Sequence, residues 1–236
     1  MKTRTTTARL LTRPPATRRP RRGPSADPEP TRDRILAAAA LEFAARGFDG
    51  AKVDRIAARA RLNKAMLYYH FQNKAALYRE ILAGMFQALA ARVEGIVREG
   101  VPPEDQIRRF IAAVAAESAA RPHFPPMWMR EMAEGGRHLD ADVLGEALRV
   151  LRVLGAILAE GRDRGAFRPL HPFVVHMSIV APIVLFGATA PIREKFPQVR
   201  AGAMPDVTRD HVVAYVETAT LAALQVQQHA EKRGGR

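Results

Sequence analysis

Apolar residues recur along most of this chain at the spacing of α-helices, and the pattern is clearest between residues 31 and 98. Thr31 can cap a first helix that runs to about Arg46, and Gly47 follows where a left-handed C-cap is needed. Residues 53–71 predict two short helices joined by a tight turn, and a longer helix starts at Lys74. The pattern therefore predicts a compact unit of three helices joined to a long fourth helix.

Residues 53–71 have the pattern of a helix-turn-helix. One face of the first short helix is apolar and the opposite face is charged; the apolar positions are Val53, Ile56, Ala57 and Ala60. Asn63 can cap the second short helix, since its side-chain oxygen can accept a hydrogen bond from a first-turn N–H group. The side chains of that helix that can meet phosphates or base edges are Lys64, Ala65, Tyr68, Tyr69 and His70.

Residues 34–82 resemble the amino-terminal domain of the TetR/AcrR family of transcriptional regulators along their whole length. The most specific marks are residues 44–48, the Ile56–Ala57 pair, Lys64, residues 68–71 and the step from Lys74 to Leu77. The resemblance implies a three-helix DNA-binding head and a larger helical domain that binds an effector and forms a dimer. It also implies a repressor of transcription that leaves a near-palindromic, double-stranded operator when a small molecule binds.

Three residues differ from the usual pattern of that family. Arg61 occupies a turn position that is normally glycine, so a residue with a Cβ atom has to adopt positive φ there. Lys52 stands where threonine or serine often caps the second helix, which indicates a weaker or different cap. Asn63 replaces a common serine and preserves capping. DNA binding is still expected, because none of these differences removes a groove-facing group.

The DNA contacts implied by the resemblance divide into two groups. The full set is Lys52, Asn63, Lys64, Ala65, Met66, Tyr68, Tyr69, His70 and Lys74. Lys64 and Tyr68 are the best candidates for specific contacts, with the two residues after Lys64 close to the bases. Tyr69, His70 and Lys74 are expected to hold the DNA backbone. An alternative is that Tyr68 or Tyr69 packs inward, since adjacent helical residues point about 100° apart.

Beyond residue 100 the pattern predicts a second, all-helical domain. Helices are expected over residues 105–120, 127–134, 141–164, 172–189 and 208–228, with a link containing proline and glycine near residues 191–205. The sequence shows no alternating strand and no β-hairpin signal. We therefore predict an all-α fold with a DNA-binding domain over residues 31–76, an effector-binding and dimerisation domain over 77–230, and disordered ends over 1–30 and 231–236.

Residues 172–192 contain no Asp, Glu, Lys or Arg. That length could span a bilayer, but Pro182 interrupts the run and His176, Ser178 and Thr189 dilute it. We therefore prefer a helix buried on most sides, with no membrane partner. In the resembled family the last two helices pair with their copies in a second chain. This implies a homodimer through helices near 172–190 and 208–228, with two recognition helices about 34–36 Å apart on DNA.

Residues 123–139 are the least generic part of the second domain. They mix apolar and charged side chains, as a largely apolar pocket with a few polar anchors requires. The candidate effector contacts in and near this segment are Phe124, Met127, Trp128, Glu131 and His176. The alternative is ordinary core packing, with a surface ion pair between Arg130 and Glu134.

The chain carries a formal net charge of +13, from 37 basic and 24 acidic side chains. Residues 1–30 carry eight basic and two acidic side chains, residues 31–74 nine and four, and residues 75–236 twenty and eighteen. The positive charge is therefore concentrated at the amino-terminal end, where a polyanion would bind.

The first thirty residues are rich in arginine and proline and lack apolar periodicity, so we expect them to be disordered. No apolar run of seven or more residues follows the basic part, which argues against a secretory signal. Three interpretations stay open: a tail without a role, a basic arm that binds phosphates or the minor groove beside the recognition helix, and an organelle transit peptide.

The sequence gives little support to an enzyme. It has no cysteine, which excludes thiol nucleophiles, thiolate metal sites and disulfides. The seven histidines are spread singly, and G-x-S-x-G, P-loop and G-x-G-x-x-G motifs are missing, so we expect neither a metal nor a cofactor. The remaining alternative to a sequence-specific regulator is a non-specific architectural DNA-binding protein. Either protein would act in the bacterial cytoplasm.

Overall fold

A computed structural model describes residues 28–196 and 207–226 of the chain. Its helices are α1 (Pro28–Gly50), α2 (Val53–Arg59), α3 (Lys64–His70), α4 (Lys74–Glu94), α5 (Pro103–Ala120), α6 (Phe124–Ala133), α7 (Ala141–Asp163), α8 (Pro172–Ala188), α9 (Ala190–Lys195) and α10 (Arg209–Leu224), with a 3-10 helix at Ile96–Glu99. In these residues no strand is present, and one isolated bridge joins Phe167 to Gln225. The predicted all-α fold is confirmed. Most of the predicted disordered ends lies outside the described residues.

The first helix begins earlier than predicted and ends as predicted. Because α1 starts at Pro28, Thr31 lies inside the helix and is buried, so its predicted role as the N-cap is wrong. At the other end Gly47 has φ 70° and ψ 179°, which breaks the helix before a short turn to Gly50. A residue with a Cβ atom would be strained at this positive φ.

The head formed by α1, α2 and α3 encloses a small apolar core that α4 completes. Ile35 and Phe43 of α1, Ile56 of α2, Leu67 of α3 and Leu77 of α4 are fully buried. Each such side chain contributes about 1.5–3 kcal/mol to the free energy of unfolding. The core is essential for α3, because an isolated helix of seven residues is not stable in water.

The second domain is built around α5, whose Ile107, Phe110 and Ile111 are fully buried. The long helix α4 leaves the head and packs along α7, so one continuous helix crosses the predicted domain boundary at residue 76. Gly187 of α8 allows a close helix contact: an added Cβ would lie 2.9 Å from Cγ of Pro125, at the start of α6. The helix α8 therefore touches α6 directly.

The prediction that residues 172–192 are buried on most sides is wrong for the single chain. Helices α8 and α9 run over Pro172–Lys195, and only 22% of their most hydrophobic window is buried. The large apolar residues exposed on α8 are Phe173, Val174, Met177 and Leu185. By length and composition, this is the one stretch in the described residues that could cross a membrane, a test that core helices of soluble proteins also pass.

The end of the chain's described part is formed by α10. Thr208 caps this helix and forms a capping box with His211. The helix packs against α8 and α5. The start of the predicted link at 191–205 is helical, as α9, and residues 197–206 lie outside the described residues.

Candidate DNA-binding site and its contact with the second domain

The recognition helix α3 is held at its start by Asn63, as predicted. The Asn63 Oδ1 atom accepts a hydrogen bond from the Met66 backbone N–H at 2.8 Å. Leu67 is buried in the head, so the opposite side of α3 faces solvent. Tyr68 is 44% exposed and Tyr69 is 78% exposed, so neither tyrosine packs inward. Of the other candidates on this helix, Lys64 and Ala65 are exposed and Met66 and His70 are half-buried.

The turn before α3 contains the strained residue that the sequence predicts. Arg61 has φ 55°, and it is the one non-glycine residue with positive φ in the described part of the chain. The Leu62 backbone N–H donates to the Ala57 oxygen at 2.9 Å and closes the turn. Arg34 of α1 donates to the Ala60 oxygen, which ties the turn to the first helix. The strain is therefore held in place by hydrogen bonds on both sides.

We expect Arg61→Gly to stabilise the head by about 0.5–1 kcal/mol, because glycine adopts positive φ without the steric cost. The substitution also removes an exposed cation beside α3, so affinity for DNA should fall while the melting temperature rises. Arg61→Ala is the matched control, since it removes the charge and keeps the strain. A glycine variant no more stable than the alanine variant, in thermal unfolding, would contradict the strain.

The start of α2 is capped from another helix, which the sequence did not indicate. Lys52 makes no side-chain cap; its backbone N–H donates to Glu42 Oε1 of α1 at 3.5 Å. Arg55 Nε binds the same carboxylate oxygen at 2.5 Å. Burial alone would raise the pKa of Glu42, but the hydrogen bonds from Arg55 and Lys52 and the nearby positive charges lower it. The sequence predicted a weaker or different cap at Lys52. In the structure, the buried carboxylate of Glu42 takes that role at the start of α2.

Three exposed cations surround the helix-turn-helix and have no acidic partner in the described residues. They are Lys52 before α2, Arg59 at the end of α2 and Arg61 in the turn that follows. Lys52 was in the predicted contact set, and the two arginines were not. Their position beside α3 makes them candidates for phosphate contacts.

Two other lysines of the predicted set already have partners. Lys64, the first residue of α3, forms an ion pair with Asp54 of α2 at 3.0 Å. Lys74 Nζ donates to the Phe48 oxygen at 2.9 Å and to the Ala51 oxygen at 3.2 Å, and it lies 4.5 Å from the centre of the Phe48 ring. Lys74 therefore holds the end of α1 against the start of α4, in addition to any contact with DNA.

Residues 130–138 fasten the second domain to the head. Arg130 Nη1 donates to the Ala44 oxygen at 2.8 Å and to the Phe43 oxygen at 3.2 Å. These carbonyls lie near the end of α1, just before the break at Gly47. The prediction of a surface ion pair between Arg130 and Glu134 is therefore wrong, because Arg130 binds these carbonyls instead.

Two ion pairs at this junction involve Arg137. Glu134 binds Arg137 at 2.8 Å, and Arg137 also binds Asp49 of the head at 2.6 Å. The hydrogen bond and charge of Arg137 lower the pKa of Asp49. Because these side chains are exposed, each pair contributes little to stability, and the buried contacts beside them matter more.

Glu131 is the buried centre of the junction. Its carboxylate, 1% exposed, accepts hydrogen bonds from the His138 backbone N–H at 2.7 Å and from the Tyr78 hydroxyl at 3.2 Å, and lies 2.9 Å from His138 Nδ1. Burial and the Glu131 charge raise the pKa of Tyr78. The centres of the His138 and Phe48 rings lie 3.9 Å apart. Glu131 therefore joins α4, α6 and the connection to α7.

The other candidate effector contacts lie deeper in the second domain. Phe124 and Met127 are buried, and Trp128 is half-buried. The rings of Phe124 and Trp128 stack at 5.9 Å, and both meet Phe86 of α4 edge-on, at 5.6 and 5.1 Å. This aromatic packing agrees with the core-packing alternative. It also places α6 against the helix that leads to the head.

His176 lies on α8, which packs against α6. The side chain is half-buried, and its Nδ1 atom is buried without a hydrogen-bond partner in the described residues. Burial lowers the pKa of His176. Burial therefore disfavours the charged form of the ring, and one ring nitrogen has no hydrogen-bond partner in the described residues.

An open apolar groove of about 380 Å³ lies between α7 and the start of α8. Its walls are Leu148, Leu151, Arg152, Gly155, His171, Pro172 and Phe173. The groove adjoins the exposed apolar side chains of α8. It was not predicted, because its walls come from two helices that meet only in the folded chain.

Both domains of the chain match known protein families. The family model for bacterial regulatory proteins of the tetR family matches residues 35–81, and a tetracyclin repressor-like C-terminal domain matches residues 103–201. The HTH-type transcriptional repressor SCO4008 of Streptomyces coelicolor is 35% identical over 162 residues, covering 68% of this chain and 75% of that protein. The HTH-type transcriptional repressor NicS of Pseudomonas putida is 29% identical over 143 residues, covering 58% and 66%.

Solved structures share the fold. A TetR family transcription regulator from Marinobacter aquaeolei superposes with a TM-score of 0.65 at 17% identity, covering 84% of this chain and 96% of that one. At this identity the likeness shows the fold alone.

Proposed function

The chain belongs to the TetR family of bacterial transcriptional regulators, and from this premise we propose how it reads DNA and how it is released. It is a sequence-specific DNA-binding regulator, and ligand-responsive repression is typical of its family. Regulators of this family bind DNA operators and small-molecule effectors and act as dimers. The observation that carries our proposal is the exposed face of a capped α3 beside unpaired cations.

We place α3 in the major groove, with Lys64 and Tyr68 at base edges and Ala65 and Met66 close to them. Tyr69 and His70 would hold the phosphate backbone. The cations Lys52, Arg59 and Arg61 would add phosphate contacts on either side of the groove. A non-specific architectural protein would not need a recognition helix aimed by a side-chain cap.

The Tyr68→Ala variant should bind the operator about 10- to 100-fold more weakly, since a good base contact contributes about 1–3 kcal/mol. Its affinity for a random-sequence duplex should change much less. Tyr69→Ala is the comparison: we expect it to weaken operator and random DNA by similar factors, because it removes a backbone contact. Equal losses on both duplexes for Tyr68→Ala, measured by fluorescence anisotropy, would remove Tyr68 from the reading of sequence.

The dimer is proposed to form through α8 and α10. These helices pack together in one chain, and both present apolar residues to solvent, including Val174 and Met177 on α8 and Tyr215 on α10. A second copy would cover this surface and place the two α3 helices on successive major grooves, about 34–36 Å apart.

The effector is proposed to act at Phe124, Met127 and Trp128, with Glu131 and His176 as the polar groups. A molecule inserted at these rings would move α6 relative to Phe86 and α4. Because residues 130–138 hold the head, that movement would shift the spacing of the two heads. Binding would then favour a state that does not fit the operator.

The first test is a footprint of the purified protein on the DNA upstream of its own gene, with excess competitor DNA. We expect a symmetric protected site with two half-sites one helical turn apart. In parallel, selection from a pool of random duplexes should enrich a near-palindrome. A pool that stays random after repeated selection would overturn sequence-specific binding through α3.

A further inference from the structure

An acidic residue faces the start of the recognition helix. Lys64 Nζ lies 3.0 Å from Asp54 Oδ1 and 3.3 Å from Asp54 Oδ2, so the ammonium is shared by both oxygens. The Lys64 side chain is 51% exposed and the Asp54 side chain is 72% exposed. The contact spans ten residues and joins the first turn of α2 to the first residue of α3.

We propose that Asp54 is a positioning residue for DNA recognition, which holds the Lys64 ammonium at the start of α3 and keeps it from binding a phosphate without regard to sequence. This inference rests on the proposed function and adds to it. It assigns opposite roles to cations that lie near one another on the head: Lys52, Arg59 and Arg61 bind the backbone, and Lys64 is held for the groove.

The chemistry of lysine explains why such control is needed. An ammonium group is a compact charge on a flexible stem, so beside DNA it is drawn to the nearest phosphate. Phosphate contacts fix position and carry no sequence information. The carboxylate of Asp54 neutralises this charge and fixes its place, so the pair releases few counterions when the protein binds.

The position of Lys64 adds a second reason. A cation at the first residue of a helix faces the positive end of the helix dipole, which disfavours it. The hydrogen bond and charge of Asp54 offset this effect, and they raise the pKa of Lys64. Once α3 enters the groove and water leaves, an unpaired Asp54 beside phosphates would be unfavourable, so each group needs the other.

A simpler role for Asp54 would be to stabilise α2 as an acid in its first turn. That role does not involve Lys64 or DNA. The two roles differ in how the salt dependence of DNA binding responds to substitution, since stability of α2 does not change the number of phosphate contacts.

The test uses Asp54→Asn in the full chain and a random-sequence duplex. Freed from Asp54, Lys64 should bind a phosphate, so the slope of log affinity against log salt should steepen by about 0.9, which is about a 3.5-fold larger loss of affinity between 50 and 200 mM salt. On the operator found by selection, the ratio of operator to random affinity should fall.

Two variants keep this result interpretable. Asp142→Asn makes the same change at the second residue of α7, in the second domain, and should leave the slope unchanged. In a Lys64→Met background, Asp54→Asn should no longer steepen the slope. An unchanged slope for Asp54→Asn, or an equal increase without Lys64, overturns the proposal. The random duplex gives this answer even if selection finds no operator, so the two proposals can fail separately.

Discussion

The Val174→Asp variant should be a monomer and should bind the operator about 100- to 10,000-fold more weakly than the dimer, which is the range that linking two binding sites contributes. Val174 is 60% exposed on the outer face of α8, among other exposed apolar side chains. A second copy would bury this position, and burying an unpaired carboxylate is strongly unfavourable. Light scattering gives the mass, and anisotropy gives the affinity.

Val97→Asp is the matched control for that variant. Val97 is also exposed, but it lies in the 3-10 helix after α4, away from α8. We expect this variant to stay dimeric with unchanged operator affinity. Affinity of the Val174→Asp variant for a single half-site should equal that of the wild type. A Val174→Asp protein that remains a dimer would place the interface elsewhere.

Glu131→Ala should lower the free energy of unfolding by about 3 kcal/mol, because it leaves the buried Tyr78 hydroxyl and the His138 N–H without an acceptor, at about 1–3 kcal/mol for each unsatisfied group. Glu131 is buried; it accepts one hydrogen bond from Tyr78 of α4 and makes its other two contacts with His138, in the connection to α7. The loss should appear in urea unfolding followed by circular dichroism.

Glu134→Ala is the comparison for Glu131, three residues further along the chain. Its carboxylate is exposed and pairs with Arg137, so its removal should cost less than about 1 kcal/mol. Equal stability of the two variants would contradict the role of Glu131 as the buried centre of the junction. Glu131→Gln, which keeps an acceptor oxygen, should lie between them.

The head could be predicted because its signals are local. The cap at Asn63, the break at Gly47 and the strained Arg61 are each set by one residue and its chain neighbours. The start of α1 was missed for the same reason: Thr31 has the chemistry of a cap, but the helix had already begun at Pro28, where proline suits the first turn.

The contacts of the second domain could not be predicted from local sequence signals. An apolar stretch without a polar face, such as residues 172–192, does not reveal which side a partner covers, so its burial in the single chain was overestimated. Arg130 and Arg137 find their partners more than 80 residues away. Such pairings depend on the packing of α6 against α1, which no spacing in the sequence encodes.

The continuous helix α4 and the junction at residues 130–138 also bear on how this regulator could be recombined with others. A chimaera that exchanges only residues 28–76 would keep the foreign head's surface but lose the matching of Arg130 to the end of α1 and of Arg137 to Asp49. We therefore expect the smallest transferable DNA-binding unit to be discontinuous in the sequence: α1 to α4, together with residues 130–138.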